Sequence, residues 1–505
     1  GMKKRYLAYV MLFIAGSISA QTVLTLEDCR QMALNHNKTL QIAQENVKAA
    51  KELKKAAFTQ FFPNFSANGT YTWNEKNLSL LSEDKYLPVY NMSANGTPNY
   101  AGSWNNSWTM VNGSPVPLDA SGAPFNPKAN PEKIMWKNYA LLPKSELEFD
   151  VQNIFAGSVG FVQPLFMGGK IAELYKIAKY GENLAEAQKV NKEHELMIEV
   201  DEAYWRVVSL ENKIKLAKEY RNLIAKVEEN VKVMIEEGVA TKAEALKVRV
   251  KLNEADVSVA KAENGLSLSR MALNQLCGLA LETVYTLNDG NLEQKAVEPQ
   301  LIPIEQALQN RPEVSALTQL ENIAKSNEKL MLSRFLPTIA LSGNYLVTNP
   351  NVYNGYVNDF GGMFSVGVVA HVPLFHFGDK IHTLNAAKAQ SRIATMQLEE
   401  TKEKMQLQIK QTSYKMAESL KKQKTTQDNV EQAIENLKYA TDGFEEGVIS
   451  STDLLGAQTA WLSAKSDNID ALIEVRLCDL YLQKSQGTLR TPTVSENNQQ
   501  KSVKK

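Results

Sequence analysis

Residues 22–280 and 300–487 carry the same succession of segments, so the fold must accommodate two copies of one plan. Ala33-Leu34 and Phe61-Phe62-Pro63-Asn64-Phe65 line up with Ala307-Leu308 and Phe335-Leu336-Pro337-Thr338-Ile339 at a separation of about 274 positions. Val162-Gln163-Pro164-Leu165-Phe166 and Glu237-Gly238-Val239 line up with His371-Val372-Pro373-Leu374-Phe375 and Glu446-Gly447-Val448 at about 209. The change in separation puts an insertion of roughly 65 residues between Trp73 and Asn153 of the first copy. That insertion is rich in Asn, Ser, Gly, Pro, Tyr and Trp, and residues 74–150 read as a long loop rather than a helix.

Each copy contains two segments with period-two alternation. Phe61, Pro63, Phe65, Ala67, Gly69, Tyr71 and Trp73 alternate with almost wholly polar residues, and Phe335, Ile339, Leu341, Tyr345 and Val347 keep the same phase. Phe155, Val159 and Phe161 share a face in the first copy, as do Phe364, Val366, Val368 and Ala370 in the second. Strands are therefore expected at about 61–73, 151–165, 335–347 and 363–375. With Tyr71, Trp73 and Tyr345 as an aromatic girdle at one end, they fit the pattern of an outer-membrane barrel. An ordinary antiparallel sheet with one wet face shows the same alternation. Four strands cannot close a barrel alone, and an open edge has no place in lipid. Closed symmetry would supply about eight strands from a dimer or twelve from a trimer.

Between the strands, residues 170–237 and 379–446 contain no proline, and in the first of these runs apolar residues recur at three- and four-residue steps. Each reads as a helix of roughly 100 Å. Second helices are expected at 241–279 and 451–486, after Gly238 and Gly447. Those glycines can take the left-handed conformation that ends a helix, and Thr241, Ser450 and Ser451 offer hydroxyls to cap the next one. The fold class expected is mainly α, with long helical hairpins and a β-barrel part.

The ends and the composition bear on compartment. Gly1 stands ahead of the expected natural start at Met2. Lys3, Lys4 and Arg5, an apolar run from Tyr6 to Gly16 and the small residues up to Ala20 make 1–20 an expected signal peptide. Cys29 follows Glu27 and Asp28, which disfavours lipidation. The other two cysteines, Cys277 and Cys478, lie far from it, and each of the three is expected as a small buried residue. The chain has 505 residues with 56 basic and 56 acidic side chains, a balance that argues against nucleic acid as a partner. Residues 488–505 are a polar tail.

The order of these segments resembles that of the TolC-like outer membrane efflux proteins. The resemblance rests on the export signal, Leu24-Thr25-Leu26-Glu27-Asp28-Cys29 opening the first helix, and then Phe-x-Pro before a strand, Pro-Leu-Phe closing one, the long helix and the Glu-Gly-Val turn, these last four given twice. It implies a homotrimer with a twelve-stranded barrel in outer-membrane lipid, joined to a helical tunnel in the periplasm. It also implies a periplasmic adaptor protein and an inner-membrane pump as partners. Adaptor-docking turns would comprise Gly238, Val239, Thr241 and Glu244, and Gly447, Val448, Ser450 and Ser451. Asp453 occupies the acidic position at the tunnel entrance, where three copies would favour cations. The chain departs from the family pattern at Gly456 and Ile449, where acidic and basic residues are expected, so Phe444 and Ile449 point to a more apolar constriction.

Cofactor and catalytic motifs are not found. His194-Glu195 begins like a zinc-protease helix, but Ile198 stands where the second histidine is needed. His371, His376 and His382 are interrupted by Pro373, and the methionines form no tight cluster, so no metal or other cofactor is expected. The reading is a passive, non-enzymatic exit duct for drugs and other toxic small molecules. Alternatives are a type I protein secretion duct, a surface adhesin or spacer with a binding loop around Trp104 and Trp108, and a soluble periplasmic adaptor.

Overall fold

The computed structural model describes residues 23–292 and 297–492. The expected signal segment and most of the polar tail lie outside them. Two units are formed: a helical one from residues up to 59, 169–335 and from 374 onward, and a β unit from 60–168 and 336–373.

In the helical unit, α1 (Leu26–His36), α2 (Lys38–Thr59), α3 (Lys170–Glu236) and α4 (Lys242–Cys277) come from the first copy. Their counterparts are α5 (Ile304–Asn310), α6 (Pro312–Ser333), α7 (Asp379–Glu445) and α8 (Ser451–Gln486). The lengths agree across the duplication: 67 residues in α3 and α7, 36 in α4 and α8, and 22 in α2 and α6. Local chemistry sets the boundaries. Thr25 and Asp28 form a capping box that starts α1. Asn37 ends α1 and accepts from the Leu40 amide at 2.9 Å to start α2. Pro312 opens α6, where a missing N–H costs nothing.

The core of the first copy joins Val200, Tyr204, Val207 and Val208 of α3 to Leu273 and Cys277 of α4 and to Cys29 and Ala33 of α1. A second cluster near the hairpin turns draws on all four long helices: Ile224 and Val227 of α3, Val248 and Leu252 of α4, Ala440 and Phe444 of α7, and Leu454 of α8. Each such aliphatic side chain contributes on the order of 1.5–3 kcal/mol of burial. The core of the first copy also contains a charged pair: Arg30 donates twice to Asp201, at 2.7 and 2.6 Å. Burial pushes the Asp201 carboxyl upward and the Arg30 hydrogen bonds oppose that shift.

The two copies also build the same joint where their second helices end. α4 stops at Gly278 (φ +72°) with the His36 ring beneath it, and α8 stops at Gly487 (φ +67°) over Asn310. A Cβ at either glycine would come within 2.5 Å of His36 or 2.7 Å of Asn310. His36 and Asn310 are the last residues of α1 and α5, so duplication of sequence has become duplication of packing.

In the β unit, β1 (Asn64–Trp73), β2 (Asn153–Phe166), β3 (Thr338–Asn349) and β4 (Gly361–His371) form one antiparallel sheet in the order β1-β2-β3-β4. The strands expected at 61, 335 and 375 are trimmed at those ends because Pro63, Pro337 and Pro373 cannot donate to a ladder. The stretch expected as a loop contains no α-helix, but it is folded. Lys85–Pro88 pairs with Tyr139–Leu142, Trp108–Val111 with Ser114–Pro117, and Trp104, Phe125 and Ile134 are buried together. Ladders of two to four residues are too short to show as alternation, which is why the sequence reads as loop.

Candidate functional site

The sheet register puts the apolar positions of all four strands on one face. Tyr71 lies opposite Phe155, with ring centroids 4.9 Å apart, and Phe65 opposite Phe161 at 5.8 Å. Ala67, Val159, Tyr345 and Phe364 form one row across the sheet, and Phe65, Phe161, Gly343 and Val366 the next. This face is open in the single chain: Phe65 is 71% exposed and Val368 63%. The other face is polar in β1, through Asn64, Ser66, Asn68, Thr70 and Thr72, and mixed in the remaining strands. β1 and β4 each lack a neighbour on their outer side among the described residues.

The residues expected as a girdle, Tyr71, Trp73 and Tyr345, do not fall in one row of the sheet. Trp73 pairs with Asn153 and Tyr71 with Phe155, which itself pairs with Asn349. Tyr345 instead pairs with Val159 and Phe364, four residues along β3, or about 13 Å. It lies in the body of the sheet, and a side chain added to Gly362 would meet its hydroxyl at 2.6 Å.

The two helical turns share one design. Gly238 (φ +74°) follows α3, and the amides of Val239 and Ala240 return to the Met234 carbonyl. Gly447 (φ +76°) follows α7, and Val448 and Ile449 return to Gly443. Thr241 then caps α4: its hydroxyl accepts from the Glu244 amide at 3.3 Å, while Glu244 accepts from the Thr241 amide at 3.0 Å. Ser450 caps α8, accepting from the Asp453 amide at 3.1 Å and donating to the Asp453 carboxylate at 2.7 Å. Ser451, expected to share that capping, is instead the first helical residue and is buried.

Asp453 is therefore an exposed carboxylate and Glu244 a half-buried one, each held against its own helix start. Phe444, expected at a constriction, is buried among Val231, Val248 and Leu454, and Ile449 is half-buried against Gly443. Both belong to the helical packing of one chain. Hydropathy marks them as apolar but does not say which neighbour they face. Gly456 opens onto free space in a groove of about 750 Å³ between the beginnings of α4 and α8. Leu246 and Val250 line that groove and are largely exposed. The sequence analysis does not single them out, although Leu246, Val250 and Val257 recur at four- and seven-residue steps along one face of α4. Among the described residues no group of three or more His, Cys, Asp or Glu is placed to hold a metal.

Comparison with known proteins agrees with this architecture. Residues 142–279 and 303–484 match the family described as outer membrane efflux protein. The outer membrane protein TolC of Vibrio cholerae is 21% identical over 350 residues, covering 68% of this chain and 80% of that protein. The crystal structure of the outer membrane protein VceC from Vibrio cholerae superposes with a TM-score of 0.67 at 15% identity, over 92% of this chain and 96% of VceC. CusC, whose structures were described for folding and transmembrane channel formation, gives 0.69 at 14% identity over 94% and 95%. The chain belongs to the outer membrane efflux protein family, which places it among TolC-like channels of the outer membrane with a periplasmic helical part. These relatives are channels rather than enzymes.

Proposed function

We propose that three copies of this chain form the passive exit duct of a tripartite efflux machine, fed by an inner-membrane pump through a periplasmic adaptor, with small toxic molecules as cargo. The observation that carries the reading is the four-stranded sheet, which has an apolar face exposed and, among the described residues, both edges unpaired. In lipid such edges must be closed, and pairing β1 of one copy with β4 of the next closes them. Three copies give about twelve strands, enough for a tilted barrel around an aqueous lumen. The polar side chains of β1 then face that lumen and the aromatic face meets lipid.

Paired cysteines test the closure directly. One partner is placed at Asn68 or Thr70 in β1 and the other at Ser365, Gly367 or Val369 in β4. Oxidation in the membrane is expected to give a covalent trimer from at least one combination, whereas a ladder ending at dimer, or no ladder, rejects the assembly. Conductance of the reconstituted protein in planar bilayers distinguishes a duct from a spacer. The spacer reading already sits poorly with membership of a channel family.

Asp453 is the proposed entrance charge and the two turns are the proposed adaptor contacts. Asp453→Asn is expected to lower cation preference; unchanged conductance and selectivity would remove it from that role. Because Ser451 is buried, photo-crosslinkers belong at Val239 and Val448, which are exposed at the turns. Capture of a periplasmic adaptor supports docking there. Cargo class follows from growth of a deletion strain: sensitivity to small toxic compounds supports efflux, and loss of a secreted protein alone supports the secretion duct.

A further inference from the structure

The duplicated joint at the ends of α4 and α8 is held differently in the two copies. In the second copy Gln486, the last residue of α8, clamps the segment leading into α5: its side chain accepts from the Ile302 amide at 2.8 Å and donates to the Gln300 carbonyl at 3.0 Å. The residue in the same place in the first copy is Cys277, the last residue of α4. It makes neither contact. Its Sγ instead lies 3.7 Å from the backbone carbonyl oxygen of Cys29 on α1, a residue 248 positions away. Both side chains are buried in one core. All three cysteines are buried, as expected, but they are not equally spaced in the fold: Cys29 and Cys277 share one cluster, and Cys478 lies in a separate one with Met416 and Leu482.

We propose that Cys29 and Cys277 become a disulfide during export, a covalent clamp at the joint that Gln486 holds by hydrogen bonds in the second copy. A channel of the outer membrane folds in contact with an oxidising compartment, where neighbouring thiols are joined by exchange. The oxidant is a protein disulfide of a thiol oxidoreductase. One thiolate attacks it to form a mixed disulfide, and the second cysteine displaces the reduced carrier. Two S–H bonds are lost, one S–S bond forms, two electrons pass to the carrier disulfide and the two protons are accounted for in its reduced dithiol. The proximity of Cys277, and then burial, hold the Cys29 thiol above its ordinary range in the folded chain, so exchange precedes closure of this core.

The test is a thiol map of full-length protein from outer membranes of aerobically grown cells, blocked with N-ethylmaleimide at lysis, denatured without reductant and digested. A Cys29–Cys277 linked peptide with Cys478 singly alkylated is the expected result. Alkylation of both Cys29 and Cys277, or linkage of either to Cys478, overturns the proposal. Reductant is expected to lower the unfolding temperature of wild type by several degrees and to leave the Cys29→Ser, Cys277→Ser double variant unmoved. An equal response of the two proteins also counts against the clamp. If the double variant does not accumulate, the wild-type map still decides, and Cys478→Ser is expected to retain the linked peptide.

Discussion

At Gly343 the absence of a side chain lets the Phe161 ring of the neighbouring strand lie flat across the sheet. A Cβ there would stand 2.4 Å from the ring. Gly343→Ala is expected to displace Phe161 from its row with Phe65 and cost about 1–3 kcal/mol in the stability of the folded protein in detergent. Gly69→Ala, which meets nothing within 4 Å, is the matched control and is expected to be neutral. Denaturant titration of both variants checks the pair. Asp119 offers a test in the folded insertion. Hydrogen bonds from the Ser121 hydroxyl first, then the Ala123 amide, hold its carboxyl down from 3.8 to about 2. A lowered folded pKa means that the stabilisation is complete above the unfolded value and is lost as pH falls from 3.8 toward 2. Pepsin nicking within 74–150 is expected to rise through that window in wild type, and Asp119→Asn is expected to lack the dependence. Neither residue stands out in the sequence, because Gly343 needs the strand register and Asp119 a turn that composition does not specify.

The turns are the parts of this molecule where element and sequence correspond most closely. Gly238 and Gly447 recur at the duplication distance, and helices expected at 170–237 and 451–486 are found at Lys170–Glu236 and Ser451–Gln486. That agreement follows from the chemistry: a glycine stop and a hydroxyl cap are local, so a window of a few residues contains the whole signal. Thr241→Ala and Ser450→Ala each remove a cap and are expected to cost about 1 kcal/mol locally. Faster amide exchange confined to the first turns of α4 and α8 is the readout, and unchanged exchange would show that the turns are held by packing alone. What is long-range stays hidden at this scale. Phe444 and the Cys29 and Cys277 pair depend on which helices become neighbours, and no local pattern states that.

For the whole molecule the decisive property is which side of the sheet meets lipid. Val366→Lys puts a charge on the apolar face in the row of Phe65 and Phe161, and is expected to reduce folded protein in the outer-membrane fraction, at roughly 2–4 kcal/mol if that row lies near the bilayer midplane. Asn68→Lys, on the opposite face, is expected to be tolerated. If both variants insert equally well, the assignment of faces is wrong. The matched helix lengths carry a further consequence. Inserting one residue into α3 alone would turn its end by about 100° and raise it by about 1.5 Å relative to α7. The shared packing of Val231 and Phe444 near the two turns would then fall out of step. A change in reach is therefore a paired event: the two copies must gain or lose the same number of residues together, as the two rails of a ladder must be cut to one length.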